Sequence, residues 1–251
     1  MISRRAGNLV EAVILAAGKG TRMKSDLPKV LHPLAGRPLL AHVLSSVQRS
    51  RIVQSIVVVG HHAARVKEAC AGPDLEFIVQ EPQLGTGHAL QVAAPHLDRE
   101  GITVVLNGDV PLLRPETIDR LIALTEQENT AATVLTCVVD DAGSYGRIVK
   151  DHDGRLLRIV EARDASEAEL ACGEFNTGVY CFHTAPLLLA LEELTADNDQ
   201  NEYYLTDTIA HLVAARKCVA ALVCDDQDEV VGINTVDELA AAERLYLARG
   251  A

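Results

Sequence analysis

The chain has 251 residues, a formal net charge of −12, and a composition that is 48% apolar and 23% charged. That length holds one large α/β domain or two small ones with ample core, and the composition is ordinary for a soluble globule. The acidic balance argues against general nucleic-acid binding, and no apolar run approaches the roughly 18 residues a membrane span needs, so a cytoplasmic protein is expected.

Residues 1–10 carry Arg4 and Arg5 but no apolar centre, and read as a flexible leader rather than a secretory signal. Residues 11–251 read as the folded domain. Ala12 to Ala17 is continuously apolar, which predicts a parallel strand buried on both faces. Gly18 and Gly20 follow, where backbone can approach a ligand closely. Lys19, Arg22, Lys24 and Lys29 surround a single acid, Asp26, giving a local charge of about +3 in an acidic chain. Such a turn past a strand suits a polyphosphate, held by backbone N–H groups and basic side chains. It is neither a Walker A loop nor the three-glycine dinucleotide fingerprint.

Gly36-Arg37-Pro38 opens a predicted helix through Gln48, with Pro in the first turn. Strands are predicted over Ile52–Val59, Leu75–Val79, Thr103–Leu106 and Ala131–Val139. Helices are predicted over His61–Ala71, Gly87–Ala94 and Pro115–Glu128. That alternation implies a parallel sheet with right-handed crossovers, a nucleotide-binding part of about residues 11–140. The rhythm then changes. Arg147–Lys150 and Leu156–Val160 flank Asp153-Gly154, a hairpin signal, and Phe175–Phe182 reads as another strand. Pro186–Leu194 and Thr206–Lys217 read as helices, Val219–Cys224 as a short strand, and Val236–Arg249 as the last helix. The expected architecture is α/β: a Rossmann-like, mostly parallel sheet flanked by helices. A mixed β segment over about 141–235 forms the other wall of a cleft, and the C-terminal helix covers about 236–249. The six cysteines form no Cys-x-x-Cys pair and read as small core residues in a reducing compartment, not as a zinc site.

Asp109, after Asn107-Gly108 at a strand's carboxyl end, is placed either to meet Mg²⁺ together with substrate phosphates or to cap the following turn. Between the third strand and its helix, Gln80 offers the donor and acceptor of a nucleobase edge. Gly85 permits close approach there, and Thr86 has a hydroxyl to donate; the alternative is a Gly-rich helix start. Gly146, Glu161 and Asn176 are candidates for pairing with sugar hydroxyls, or ordinary surface polar residues. Asn234, just before the helix N-cap candidate Thr235, is a candidate neutral oxygen ligand for the same Mg²⁺. His61-His62 reads as a turn pair.

The string Leu15-Ala16-Ala17-Gly18-Lys19-Gly20-Thr21-Arg22-Met23 with Pro28-Lys29 resembles the signature of the sugar-phosphate nucleotidyltransferases. Further strings extend the likeness from about Val13 to Asn234: Leu84-Gly85-Thr86-Gly87-His88-Ala89, Gly108-Asp109-Val110-Pro111, Tyr145-Gly146-Arg147, Asn176-Thr177-Gly178, Asn201-Glu202-Tyr203-Tyr204-Leu205-Thr206-Asp207 and Gly232-Ile233-Asn234. They resemble the uridylyltransferase domain of the bacterial bifunctional N-acetylglucosamine-1-phosphate uridylyltransferase/glucosamine-1-phosphate acetyltransferases. The resemblance implies uridylyl transfer from UTP to N-acetylglucosamine 1-phosphate. Leu15, Ala16, Ala17, Gly18, Gln80 and Gly85 would hold uridine, and Arg22 and Lys29 the phosphates. Thr86, Gly146, Glu161 and Asn176 would bind the sugar, and Asp109 and Asn234 would ligate Mg²⁺. Asn107 and Gly108 belong to the same pocket wall; the family usually has Tyr where this chain has Asn107. Close alternatives are another sugar 1-phosphate or nucleotide, such as glucose 1-phosphate or dTTP, and a non-catalytic module that senses sugar nucleotides. The family's acetyltransferase half, a trimer-forming β-helix of hexapeptide repeats, has no counterpart in this sequence, so a monomer or weak oligomer is expected.

Overall fold

The structure is a computed structural model and describes residues 9–127 and 129–250. β1 (Val10–Ala16) is central, paired in parallel with β4 (Gln54–Val59) on one side and β6 (Ile102–Asn107) on the other. β5 (Leu75–Val79) continues the parallel run outside β4. Ala12, Val13 and Ile14 are fully buried, as a continuous apolar run predicts. Their side chains alternate between two cores. Ala12 and Ile14 join the layer that contains α1 (Leu39–Gln48) and α4 (Pro115–Thr125), while Val13 joins the layer that contains α3 (Thr86–Ala93). Burying a Val or Ile side chain such as Val13 or Ile14 contributes about 1.5–3 kcal/mol of hydrophobic stabilisation. α2 (Ala63–Cys70) links β4 to β5.

Beyond β6 the strand order departs from the sequence order. β7 (Thr130–Val138) keeps the direction of the parallel strands but does not pair with β6. β10 (Glu174–His183) inserts between them, antiparallel to both, and β11 (Cys218–Val223) closes the edge in parallel with β7. The hairpin β8 (Arg147–Lys150) and β9 (Leu156–Val160) branches from the start of β10. A short α5 (Glu167–Leu170), held by a Ser166/Glu169 capping box, precedes β10. α6 (Thr184–Glu192) and α7 (Asp207–Ala214) cover the second core. α8 (Val236–Ala248) docks elsewhere. Its Ala242 packs with Leu34 and Leu39 near a small hairpin of β2 (Pro33–Leu34) and β3 (Arg37–Pro38).

The differences from the sequence reading have local causes. The first helix begins at Leu39, not at Gly36, because Ala35 and Gly36 lie in the left-handed region and turn the β2–β3 hairpin. Of the expected leader, residues 1–8 lie outside the described residues, and Val10 already pairs in β1. The fourth helix ends at Thr125; its expected last residue, Glu128, lies outside the described residues. Cys70, Cys137, Cys181 and Cys224 are buried, whereas Cys172 is half-buried and Cys218 is exposed at the start of the edge strand β11. Among the described residues no helix is long and apolar enough to cross a membrane.

Candidate functional site

The loop after β1 carries the basic residues to the carboxyl ends of the parallel strands. Gly20 adopts φ +59°, and a Cβ there would lie 2.6 Å from the Cβ of Lys29, so two strands of the loop cross where only glycine fits. Buried Met23 pins the turn that presents Arg22. Lys29 opens the next turn.

Three of the predicted residues converge with a fourth. Asn234 Oδ1 accepts from Arg22 Nη2 at 2.9 Å and from Lys29 Nζ at 3.0 Å, and Lys29 Nζ also donates to Asp109 Oδ2. The backbone ties the two oxygen-bearing residues together: Ile233 N–H donates to the Asp109 carbonyl at 2.9 Å. Glu238 Oε2 in turn accepts from Asn234 N–H at 2.6 Å and from Thr235 N–H at 2.9 Å, within the capping box that starts α8. The carboxylate of Asp109 therefore serves the cluster rather than capping the following turn. Asp109 Oδ2 and Asn234 Oδ1 aim at one cationic centre, and both are hard oxygen donors. Two protein oxygens are what Mg²⁺ typically takes when substrate phosphates and waters complete its shell. Among the described residues no group of three His, Cys, Asp or Glu side chains is placed to hold a metal by itself. Nearby, burial pushes the Tyr145 phenol above its ordinary pKa, with Asp109 and Glu238 adding to the rise. Its oxygen accepts from Gly232 N–H at 3.2 Å.

The cluster stands at one side of a cavity of about 420 Å³. Leu15, Ala16, Ala17, Gly18, Lys29, Gln80, Gly85, Thr86, Asn107 and Asp109 line it, so most of the sequence-predicted nucleotide residues share one hollow. Arg22 and Asn234 join through their hydrogen bonds. Gly108 does not line the hollow. It lies behind it, donating its N–H to the Leu15 carbonyl at 2.9 Å and packing against Val30 and Ala16, so its place is a supporting one. Gln80 is buried; its Nε2 donates to the Gly85 carbonyl at 2.8 Å and lies 3.1 Å from His88 Nδ1. Gly85 takes φ +105°, and a Cβ there would come within 2.6 Å of the Tyr203 carbonyl.

That close approach reveals a strap which sequence reasoning did not place in the site. Tyr203 N–H donates to the Leu84 carbonyl at 2.8 Å, Gly87 N–H to the Tyr203 carbonyl at 2.7 Å, and Leu205 N–H to Thr86 Oγ1 at 3.1 Å. Gln83 is also new to the site: its Nε2 donates to the Ala17 carbonyl, passing so close to Gly60 that a Cβ there would sit 1.8 Å away.

A second cavity of about 200 Å³ adjoins the first, with Leu15, Thr86 and Asn107 in both walls. Gly146, Glu161 and Asn176 line it, together with Tyr145, Thr177, Gly178, Tyr180 and Thr206, which sequence reasoning had not assigned. Asn176 is buried rather than a surface residue: its N–H donates to the Gly146 carbonyl at 2.8 Å and its Oδ1 accepts from Gly178 N–H at 3.1 Å, at the bulge in β10. Glu161 follows β9 and accepts from Thr206 Oγ1 at 3.1 Å. Burial raises its carboxyl pKa, and the charges of Asp207 and Asp164 add to the rise. Tyr180, fully buried, is pushed well above the usual phenol range by desolvation.

A central parallel run with an inserted antiparallel strand, and a two-part cleft over the strand ends, is the nucleotide-diphospho-sugar transferase type of fold. The UDP-glucose pyrophosphorylase structure complexed with UDP-glucose superposes with a TM-score of 0.78 at 17% identity, over 96% of this chain and 99% of that one. A putative glucose-1-phosphate thymidylyltransferase from Bacillus anthracis gives 0.76 at 20% identity, over 94% of each. Residues 12–211 match the MobA-like NTP transferase domain, and the chain belongs to that family. It is 48% identical over 235 residues to the bifunctional protein GlmU of Brevibacillus brevis, covering 93% of this chain and 51% of that protein. It is 48% identical over 239 residues to GlmU of Geobacillus thermodenitrificans, covering 95% and 52%. The chain thus spans about half the length of the curated relatives it matches.

Proposed function

We propose that this domain transfers a uridylyl group from UTP to N-acetylglucosamine 1-phosphate, with Mg²⁺, releasing UDP-N-acetylglucosamine and pyrophosphate. The observation that carries the reading is the convergence of Arg22, Lys29, Asp109 and Asn234 at one side of a cavity that opens into a second, polar one. The similarity to bifunctional GlmU proteins supports the choice of substrates.

In this reading the backbone of Leu15 to Gly18, with Gln80 and Gly85, holds the uracil ring. Thr86, Gly146, Glu161 and Asn176 hold the N-acetylglucosamine part. A phosphate oxygen of the sugar phosphate attacks the α-phosphorus of UTP in line; the new P–O bond forms as the bond to pyrophosphate breaks. No protein nucleophile is needed, so the chain's work is positioning and charge neutralisation. Arg22 and Lys29 offset the charge that builds on the leaving pyrophosphate. Asp109 and Asn234 would hold Mg²⁺, and the chemistry it would supply when bound is Lewis-acid neutralisation of the phosphates.

A grid of nucleoside triphosphates against sugar 1-phosphates, read by pyrophosphate release, tests this. Turnover is expected to be greatest for UTP with N-acetylglucosamine 1-phosphate and to vanish with a chelator. A maximum at glucose 1-phosphate or dTTP would reassign the substrates. Binding without pyrophosphate release from any pair would make the domain a sensor of sugar nucleotides.

A further inference from the structure

Asn107 occupies a singular position. It ends β6, registers beside Leu15 at the end of β1, and lines both cavities. Its carboxamide orientation is set by chemistry: Nδ2 faces two carbonyl oxygens, those of Gly178 at 3.2 Å and Thr177 at 3.5 Å, and only an NH₂ group donates to them. The fit is tight enough that a Cβ on Gly178, whose φ is +77°, would lie 2.3 Å from Nδ2. The amide is thus clamped by the β10 bulge, and Oδ1 has no partner among the described residues.

The unpartnered acceptor stands between two groups of residues that a nucleotide must bridge. The backbone of Leu15 to Gly18, assigned to the base, runs off the end of β1 from the residue that pairs with Asn107, and Asp109, at the phosphate end, lies two residues beyond Asn107. In a nucleotide the ribose is what connects base to α-phosphate. We propose that Asn107 is a specificity-determining residue whose Oδ1 accepts a hydrogen bond from a ribose hydroxyl, so that the site selects ribonucleotides over deoxyribonucleotides. The inference rests on the nucleotide reading of the larger cavity, but not on the identity of the base or of the sugar phosphate. A clamped acceptor discriminates in this way because a ligand lacking the hydroxyl leaves it desolvated and unpaired.

Titration calorimetry of the whole domain with UTP, 2′-deoxy-UTP and 3′-deoxy-UTP tests the inference without relying on turnover. One of the two deoxy analogues is expected to bind roughly 10- to 100-fold more weakly than UTP, and the analogue that does so identifies the hydroxyl. In Asn107→Leu and Asn107→Ser that penalty is expected to shrink to within about 3-fold. The thermal midpoint of each variant, measured alongside, separates loss of the acceptor from damage to the β10 bulge. A wild-type domain that binds both deoxy analogues as well as UTP overturns the assignment without any variant. So does a penalty that persists unchanged in folded Asn107 variants. Failure of the uridylyl-transfer reading looks different: another base would be preferred, or no pyrophosphate released, while the ribose comparison is repeated on whichever triphosphate binds.

Discussion

The two walls of the cleft hold their polar groups in opposite ways. On the β1 side the groups are charged: Arg22 and Lys29 share the Asn234 oxygen, and Lys29 faces Asp109 with both side chains partly open to water. On the β8–β10 side the polar groups are buried or half-buried, and neutral or pushed toward neutrality. Asn176 is wired into backbone, Tyr180 is fully buried, and Glu161 has a raised carboxyl pKa. The first arrangement suits ligands that bring their own charge, since mobile cations and carboxylates re-pair when phosphates arrive. The second suits hydroxyls and amides, which need fixed partners in a low dielectric to be told apart. One wall is a charge reservoir and the other a template.

The contrast is broken most severely on the charged side. Asp109→Ala is expected to lower kcat on the order of 10³-fold, measured by pyrophosphate release, with a thermal midpoint close to that of the unaltered chain. Near-normal magnesium-dependent turnover by that variant would falsify the metal assignment. Lys29→Ala and Arg22→Ala should each cost about 10²-fold in kcat, with a smaller change in the KM for the sugar phosphate. An equal loss in the sugar KM would show that the two walls do not divide the work as described.

On the template side the expected effect is smaller and of another kind. Glu161→Gln keeps an oxygen for Thr206 but removes the charge, so the sugar-phosphate KM should rise about 10-fold while the UTP KM stays put. Stability should move the other way. Burial raises the Glu161 pKa above 4.5, so the folded chain binds that proton more tightly than the unfolded one. The cost is therefore absent below the ordinary carboxylate range and grows as pH rises through the folded value. The Gln variant escapes it, and its melting midpoint at pH 7 should lie above that of the unaltered chain, converging with it in acid. A pH-independent difference in midpoints would show that the carboxyl does not titrate in the folded site.

The charged wall was also the more legible in the sequence, for a physical reason. An apolar run followed by glycines and clustered bases encodes strand, turn and basic cluster within a few residues, and β1, Arg22 and Lys29 lie where that pattern puts them. The template wall is assembled by long-range pairing, which no local pattern carries. Nothing in Phe175–Phe182 announces that β10 enters between β6 and β7, yet that insertion places Asn176 beside Gly146 and clamps Asn107. Thr206 read as the start of a helix and stands at the N-cap of α7, but its hydroxyl reaches Glu161 rather than the helix backbone. The strap of Tyr203 across Gly85 escaped for the same reason, although Gly85 and the string Asn201–Asp207 were both visible in the sequence.

The smallest effect expected concerns how the charged wall is kept in order at a distance. Glu238 belongs to α8, away from the cavity, yet its Oε2 receives the backbone N–H groups of Asn234 and Thr235 and so fixes where the Asn234 side chain begins. Glu238→Ala removes half of a capping box, which costs about 1 kcal/mol of stability. If α8 only stabilises, that loss appears in the melting midpoint alone and kcat is unchanged. If it also positions Asn234, kcat should fall about 5-fold, an order of magnitude less than for loss of a direct phosphate contact. Glu238→Gln, which retains an acceptor oxygen, should then recover most of that kcat. Parallel loss in both variants would place the effect in the helix charge rather than in the hydrogen bonds to the Asn234 backbone.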